Sequence, residues 1–374
     1  MEGWVTKSLG EVTSIMTKGV TPKYADWANE NTIVVLNQKC NRNFEISFEQ
    51  ARFNDCSKKS IPDEKILRKY DVLINSTGTG TAGRVAQLFN VDRPMTIDGH
   101  MILLRSTDEI DPIYYGYAVK KHQAEIELLA EGSTGQTEIN RNRLSSEIMI
   151  SFPQELSMQR QIGKLLYQID QKINNNICIN NNLEQQTQAI FTNIFIANAD
   201  TTWPLGHLSD LITVRYGKDH KKLHDGVYPV YGSGGIMRYV ERPLYDKESV
   251  LIPRKGTLNN VIYVNKPFWS VDTMFFTEMK QPNIAKFVFH FVKSKDLASL
   301  NAGSAVPSMT TDILNAMELY LPDAKALSYF ESLVTPMYLI VQHNTEESKK
   351  LENLRNALLP KLMSGELDVS NLDL

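Results

Sequence analysis

Two long stretches of this chain place an apolar residue every three or four positions, and the rest of the sequence is organised around them. In the first, Ile162, Leu166, Ile169, Ile173, Leu183, Ile190 and Ile194 fall on one stripe; in the second, Phe330, Val334, Met337, Val341, Leu351, Leu358 and Leu362 do. A mean spacing of 3.5 residues marks a helix whose apolar seam faces another helix. The stripes are related by a constant 168 residues at all seven positions, and the polar interruption recurs too, Asn176 and Asn180 answering Asn344 and Ser348. A helix covering only its own domain would explain one stripe, but two in a shared register predict helices that pack on each other. At about 1.5 Å per residue each makes a rod of about 50 Å, and an antiparallel pair would carry a domain at either end about a pseudo-two-fold axis. Pro336 predicts a kink or break in the second helix, and Pro360 a bend before Gly365 ends it.

Ahead of each stripe the pattern changes to short apolar runs separated by turn residues, which read as strands. These regions repeat as well. Trp4 with Leu9-Gly10 answers Trp203 with Leu205-Gly206, and Asp71-Val-Leu-Ile74 answers Ser249-Val-Leu-Ile252. The Gly-Thr pairs Gly80-Thr81 and Gly256-Thr257 follow, then Ile97-Asp98 with Met101 against Val271-Asp272 with Met274, and Gly132-Ser133 against Gly303-Ser304. The predicted fold is therefore α+β: two globular β-rich domains in tandem repeat, residues 1–152 and 200–321, separated by two long antiparallel coiled-coil helices, residues 153–199 and 322–374 with the C-terminal tail.

Composition adds mainly exclusions. In 374 residues, 42% hydrophobic and 9% aromatic content suits packed globules rather than disorder. No apolar run approaches the roughly 20 residues of a membrane span, and the start lacks a secretory h-region, so a soluble cytoplasmic protein is expected. Cys40, Cys56 and Cys178 are widely spaced, which favours reduced structural thiols over a disulfide framework or zinc site. Net charge is −3: −2 over residues 1–152, zero over 153–199, +2 over 200–321 and −3 over 322–374. No basic tail exists, so any contact with phosphates must come from local cation clusters or from partner proteins.

Several motifs of catalytic or metal-binding type dissolve on inspection. Gly78-Thr-Gly80-Thr-Ala-Gly83 has the glycines of a dinucleotide loop and nearly those of a P-loop, but carries Arg84 and Val85 where Lys and Ser/Thr belong and runs into no convincing helix. His220 and His224 have the spacing of a zinc-protease helix with Lys221 in the place of the required Glu. Pro62-Asp63-Glu-Lys65 lacks a second acidic residue at nuclease spacing. The Asn/Asp-Pro-Pro-aromatic motif by which adenine methyltransferases hold a flipped base is missing. No catalytic residue and no metal ligand is therefore assigned.

The order of parts, the closing Leu358-Leu-Pro-Lys-Leu-Met-Ser-Gly-Glu-Leu367, and the phrases Leu183-Glu-Gln-Gln-Thr-Gln-Ala-Ile-Phe191 and Tyr228-Pro-Val-Tyr-Gly-Ser-Gly-Gly235 together resemble the specificity subunits of type I restriction-modification systems. The resemblance covers essentially the whole chain. It implies a non-catalytic subunit whose two target-recognition domains each read one half of a split site in double-stranded DNA. It also implies that the paired helices set the spacing and dock two methyltransferase subunits, which motor-nuclease restriction subunits join. S-adenosylmethionine, ATP and Mg2+ would then belong to those partners, and this chain would carry no cofactor. An interaction scaffold, or a specificity module of another methyltransferase or defence system, is the alternative. The second domain is 30 residues shorter than the first, 203–322 against 4–153, which leaves the half-sites free to differ.

Given that resemblance, the candidate DNA-binding residues are polar clusters able to reach base edges, Arg and Lys towards guanine, Asn and Gln towards adenine. In the first domain these are Lys18, Lys23 and Tyr24; Asn37, Gln38, Lys39, Asn41, Arg42 and Asn43; Ser76, Thr77, Thr79 and Arg84; and Gln136, Asn140, Arg141 and Arg143. In the second they are Arg215, Lys218, Lys221, Lys222, Tyr231, Ser233, Arg254, Lys255, Asn259, Asn260 and Ser304.

Overall fold

The computed structural model describes residues 3–132, 137–300 and 308–368. Two compact units emerge, one of residues 1–175 with 346–374 and one of residues 176–345.

In the first unit a central antiparallel sheet runs in the order Thr13–Lys18, Met101–Ser106, Val72–Asn75, Val85–Gln87. Its middle strands are apolar at successive positions because both faces are covered. The period-2 alternation sends Val72, Ile74, Ile102 and Leu104 to one core and Leu73, Met101 and Leu103 to another. The first core is closed by the helix Pro112–Lys121, which buries Tyr114, Tyr115 and Tyr117. The second is closed by a sheet ordered Met95–Ile97, Thr32–Leu36, Arg52–Asp55, Tyr24–Ala25.

The second unit repeats this plan. Its central sheet is Ile212–Tyr216, Met274–Met279, Ser249–Pro253, Ile262–Val264, with Val250, Ile252 and Phe275 on one core and Leu251, Met274 and Phe276 on the other. The helix Ala285–Lys293 closes the first core and the hairpin Asp225–Gly232/Gly235–Val240 with Trp269–Ser270 the second. In each unit a short ladder joins the start of the domain to its end, Trp4–Ser8 with Met149–Pro153 and Leu205–His207 with Glu318–Tyr320, and so delivers the chain to a long helix.

Those helices are Leu156–Thr192, continued by a π-helical turn Asn193–Ala197, and Ala324–Ser364. The early part of one pairs with the late part of the other within each unit, which makes the pairing antiparallel. Ile162 and Leu166 share a core with Leu362 and Met363 in the first unit, and Phe191 and Phe195 share one with Phe330 and Val334 in the second. Ile169 and Ile173 are buried, while Leu183, Ile190, Met337, Val341, Leu351 and Leu358 are half-buried. Near residue 190 the buried positions are Phe191 and Phe195 rather than the expected Ile190 and Ile194, because the larger rings fill the core beneath Phe287.

The polar interruptions meet each other. Asn344 Nδ2 donates to Asn180 Oδ1 at 2.9 Å in the second unit, a register-fixing contact of the kind buried asparagines make in coiled coils. In the first unit Asp170 accepts from Tyr117 Oη at 2.6 Å and from Arg355 Nη1 at 2.5 Å, tying the domain's own helix to both long ones. The matching place in the second unit is neutral: His290 Nδ1 lies 2.8 Å from Gln188 Oε1, and its Nε2 is 3.0 Å from Tyr338 Oη. Asp170 and Tyr338 are again 168 residues apart.

Pro336 does not break the second helix, which runs unbroken through it and through Pro360. Both prolines lie on the exposed face, where a carbonyl deprived of its helical donor can bond water. Gly365 ends the helix as expected, at φ +73°, with its N–H on Leu362 O and that of Leu367 on Lys361 O.

Burial among Phe191, Phe289 and Phe330, with Lys293 adding like charge, holds the His290 imidazole down at about 3 from 6.5. Between those values the unfolded chain binds a proton that the folded one refuses, so the second unit loses stability as pH falls from 6.5 towards 3. Urea unfolding at pH 7 and pH 5 should show a larger loss for the native chain than for His290→Gln, which keeps polar contacts but does not titrate. Equal losses would remove His290 as the cause.

Candidate nucleic-acid interface

At one end of each central sheet four loops converge, and their backbone hydrogen bonds match one for one. The first loop leaves the edge strand at Gly19 or Gly217, whose N–H bonds to Met101 O or Met274 O. The next residue bonds to Ile97 O or Ser270 O, so the edge strand crosses directly over the turn that precedes the central strand. That turn has the same length in both units, Met101 N–H to Asp98 O and Met274 N–H to Val271 O. The third loop follows the other central strand: Ser76 N–H bonds to His100 O and Arg254 N–H to Thr273 O, while Ser76 O and Arg254 O accept from Ile139 and Met309. The fourth carries Gln38 or Ser233, whose carbonyl is held by Asn75 Nδ2 at 3.0 Å or Asn260 Nδ2 at 2.7 Å.

Glycine is required where these loops touch. A methyl group at Gly19 would strike the carbonyls of Ile97 and Asp98, and one at Gly217 those of Ser270 and Val271. Gly78, at φ +114°, leaves room for Gln38 and Thr81; Gly256, at φ +84°, leaves room for Ser233. These equivalences correct two alignments made on residue identity. Gly256-Thr257 matches Gly78-Thr79, not Gly80-Thr81. Asp98 matches Val271, and Asp272 matches Gly99, since identity-matching of the aspartates requires a gap that the hydrogen bonds do not have.

In the first unit this platform presents Lys18, Gln38, Thr77 and His100. Thr77 Oγ1 lies 2.9 Å from His100 Nδ1 and donates to Gln38 Oε1 at 3.4 Å. Lys18 pairs with Glu138, and its ammonium is pulled below the ordinary lysine range by partial burial and by Arg141. Asp98, buried under the turn, is pushed up by that burial while its carboxylate accepts His100 N–H at 2.9 Å. In the second unit the equivalent positions are Tyr216, Ser233, Arg254, Lys255 and Thr273, with Lys218 beside them.

Other predicted residues are occupied elsewhere. Ser76 is fully buried and cannot reach a base. Asn37 donates to Gln50 O at 2.6 Å and accepts from Lys39 N–H, shaping its own turn. Asn41 is buried on Leu73 O and Arg84 O. Arg42 and Asn43 lie in the hairpin Asn41–Arg42/Glu45–Ile46, whose Glu45 meets Asn174 of the first long helix. Asn140 caps the helix Arg141–Glu147, and Arg143 is neutralised by Glu131 and Glu147. Arg84 folds back on Gly80 O at 3.0 Å. Tyr231 packs edge-on against Phe268 in the second core, Asn259 bridges Asp296 and Ala298 N–H, and Arg215 pairs with Glu278 at 3.0 Å.

Lys23 and Tyr24 sit on the outer sheet, where the Arg52 guanidinium covers the Tyr24 ring at 3.3 Å. Lys39, Thr79 and Arg141 are exposed, as are Lys221 and Lys222 on the loop turned by Asp219. Gln136 and Ser304 lie outside the described residues. His100, Glu138 and Tyr216 are platform residues that sequence reasoning missed; for His100 and Tyr216 the signal was the glycine after each edge strand, which marks a close backbone crossing. The glycine-rich run opens onto the strand Val85–Gln87, so neither phosphate-loop reading has its helix. Among the described residues no group of three or more His, Cys, Asp or Glu side chains could hold a metal ion, and no helix is long and apolar enough to cross a membrane.

Compared with known proteins, residues 1–185 and 201–347 match the family model described as the type I restriction modification DNA specificity domain. A putative type I specificity subunit of Mycoplasma genitalium is 24% identical over 282 residues, 68% of this chain and 71% of that protein. The HindI specificity subunit of Haemophilus influenzae is 29% identical over 92 residues, so the match spans 25% of this chain and only 18% of that subunit. A crystal structure of a type I restriction-modification S subunit from M. genitalium shares the fold with a TM-score of 0.64 at 19% identity, covering 96% of both chains.

Gly217→Ala should destabilise the protein by about 1–3 kcal/mol, because the methyl group meets backbone that cannot yield. Gly234→Ala, where nothing lies within 4 Å, should stay within about 0.5 kcal/mol of native. Thermal unfolding of the two variants distinguishes them; equal melting temperatures would mean that the crossing carries no strain.

Proposed function

The chain belongs to the type I restriction modification DNA specificity family, and from that premise we propose that it is the DNA-recognition subunit of such a system, reading a bipartite, asymmetric site with one half-site per unit. It is itself non-catalytic. It docks two methyltransferase subunits along the long helices, and motor-nuclease restriction subunits join through them; S-adenosylmethionine, ATP and Mg2+ act on those partners. The observation that supports this reading is the platform built twice from matching backbone hydrogen bonds with different side chains: Lys18, Gln38, Thr77 and His100 in one unit, Tyr216, Ser233, Arg254 and Lys255 in the other. A shared scaffold with divergent polar tips suits two reading heads for two different sequences. A pure scaffold would have no need to rebuild one loop platform with a different polar tip in each unit.

Net charge of −3 leaves little general attraction for phosphate, so tight binding is expected to need the methyltransferase. Titrating labelled duplex DNA should give weak binding by the chain alone and tight binding by its complex. Tight, sequence-specific binding by the isolated chain would contradict this.

Because each unit has its own cores, replacing residues 1–152 by the first domain of another family member should change one half of the methylated sequence and leave the other. Methylation-sensitive genome sequencing reads both halves at once. A hybrid altered in both would overturn one-unit-one-half-site recognition.

A further inference from the structure

We propose that Arg254 is the guanine-reading residue of the second unit, recognising one guanine of its half-site through the major groove. The inference rests on the DNA-recognition reading above and assigns a base to one residue within it.

Arg254 leaves the central strand Ser249–Pro253 with its backbone fixed on both sides, N–H to Thr273 O at 2.8 Å and carbonyl to Met309 N–H at 2.9 Å. Its side chain is also steered. The guanidinium carbon lies 5.3 Å from the centroid of the Tyr216 ring, and Nη1 donates to Asp272 O at 3.2 Å. Tyr216 is itself set edge-on against the fully buried Phe275, with centroids 5.0 Å apart, so the surface that supports the arginine is rigid. Such a stack restricts a side chain that otherwise loses much rotamer freedom when it binds.

Unlike its neighbours, Arg254 has no carboxylate partner among the described residues. Arg215 pairs with Glu278, and Arg238 with Asp225. With Nη1 engaged by a carbonyl, Nε and Nη2 meet no acceptor among the described residues and stand as two coplanar donors along one edge. That edge matches the O6 and N7 acceptors of guanine and no pair of acceptors on adenine, thymine or cytosine in the major groove. Phosphate also accepts arginine, but a phosphate contact carries no sequence information. The hydrogen bonds place the buried Ser76 at the same position in the first unit, so its half-site has no guanine read from there.

The test uses the full chain co-expressed with its methyltransferase subunit. The methylated sequence is determined for the native chain, Arg254→Lys and Arg254→Ala, and purified native complex is assayed on duplexes carrying 7-deazaguanine at each guanine of the second half-site. One guanine should become degenerate in both variants, with the first half-site unchanged. At that same guanine, 7-deaza substitution should lower methylation by the native complex about tenfold and leave Arg254→Ala unaffected, since each good bidentate pair discriminates on that order. The deaza duplexes test the native chain even if a variant folds poorly. An unchanged sequence methylated uniformly less would make Arg254 a phosphate contact and overturn the proposal, as would indifference to 7-deazaguanine throughout the second half-site. A native complex that methylates without sequence preference would remove the DNA-recognition reading itself.

Discussion

The close crossing of an edge strand over the turn before the central strand, at Gly19 and at Gly217, is the constraint on which the rest of each unit depends. Backbone passes so near backbone there that no side chain fits. The crossing fixes the turn at residues 98–101 or 271–274, the turn fixes the first residue after the other central strand, and an asparagine then anchors the fourth loop. None of these links uses the exposed side chains. The tips can therefore change freely while the geometry beneath them stays.

The second constraint is the pairing of the long helices, and here the two units solve one problem with different chemistry. Where the domain's helix meets both long helices, the first unit buries an ion pair between Asp170 and Arg355 with Tyr117, and the second buries a neutral imidazole between Gln188 and Tyr338. A half-buried ion pair contributes little net stability but is costly to leave unmatched. Charge in one unit and neutrality in the other thus discourage either helix segment from taking its counterpart's place. Asn180 and Asn344 add a contact that is satisfied only in one register.

Much of this was legible in the sequence. The 168-residue offset located both helices, and the runs Val72-Leu-Ile74 and Val250-Leu-Ile252 located the central strands, because side chains buried on both faces leave no polar position between them. Pro336 and Pro360 do not end the helix, since a proline on an exposed face interrupts hydrogen bonding while the helix continues past it. The site was less legible for a physical reason. Short polar side chains in loops satisfy their own backbone first, as Asn37, Asn140 and Asn259 do, so polar density marks turns as readily as reading surfaces. Residue identity also misaligned the two aspartates, whose true correspondence is visible only in the hydrogen bonds.

Whether the twice-built platform carries the contact with DNA is tested most directly by hydrogen–deuterium exchange of the chain in complex with its methyltransferase, with and without a duplex carrying the methylated site. Protection by DNA should appear at residues 37–39, 76–81 and 98–100, and at residues 231–235, 254–260 and 271–273. Protection confined to other surfaces, such as the outer sheet around Tyr24 and Arg52, with the platform loops exchanging unchanged, would contradict it.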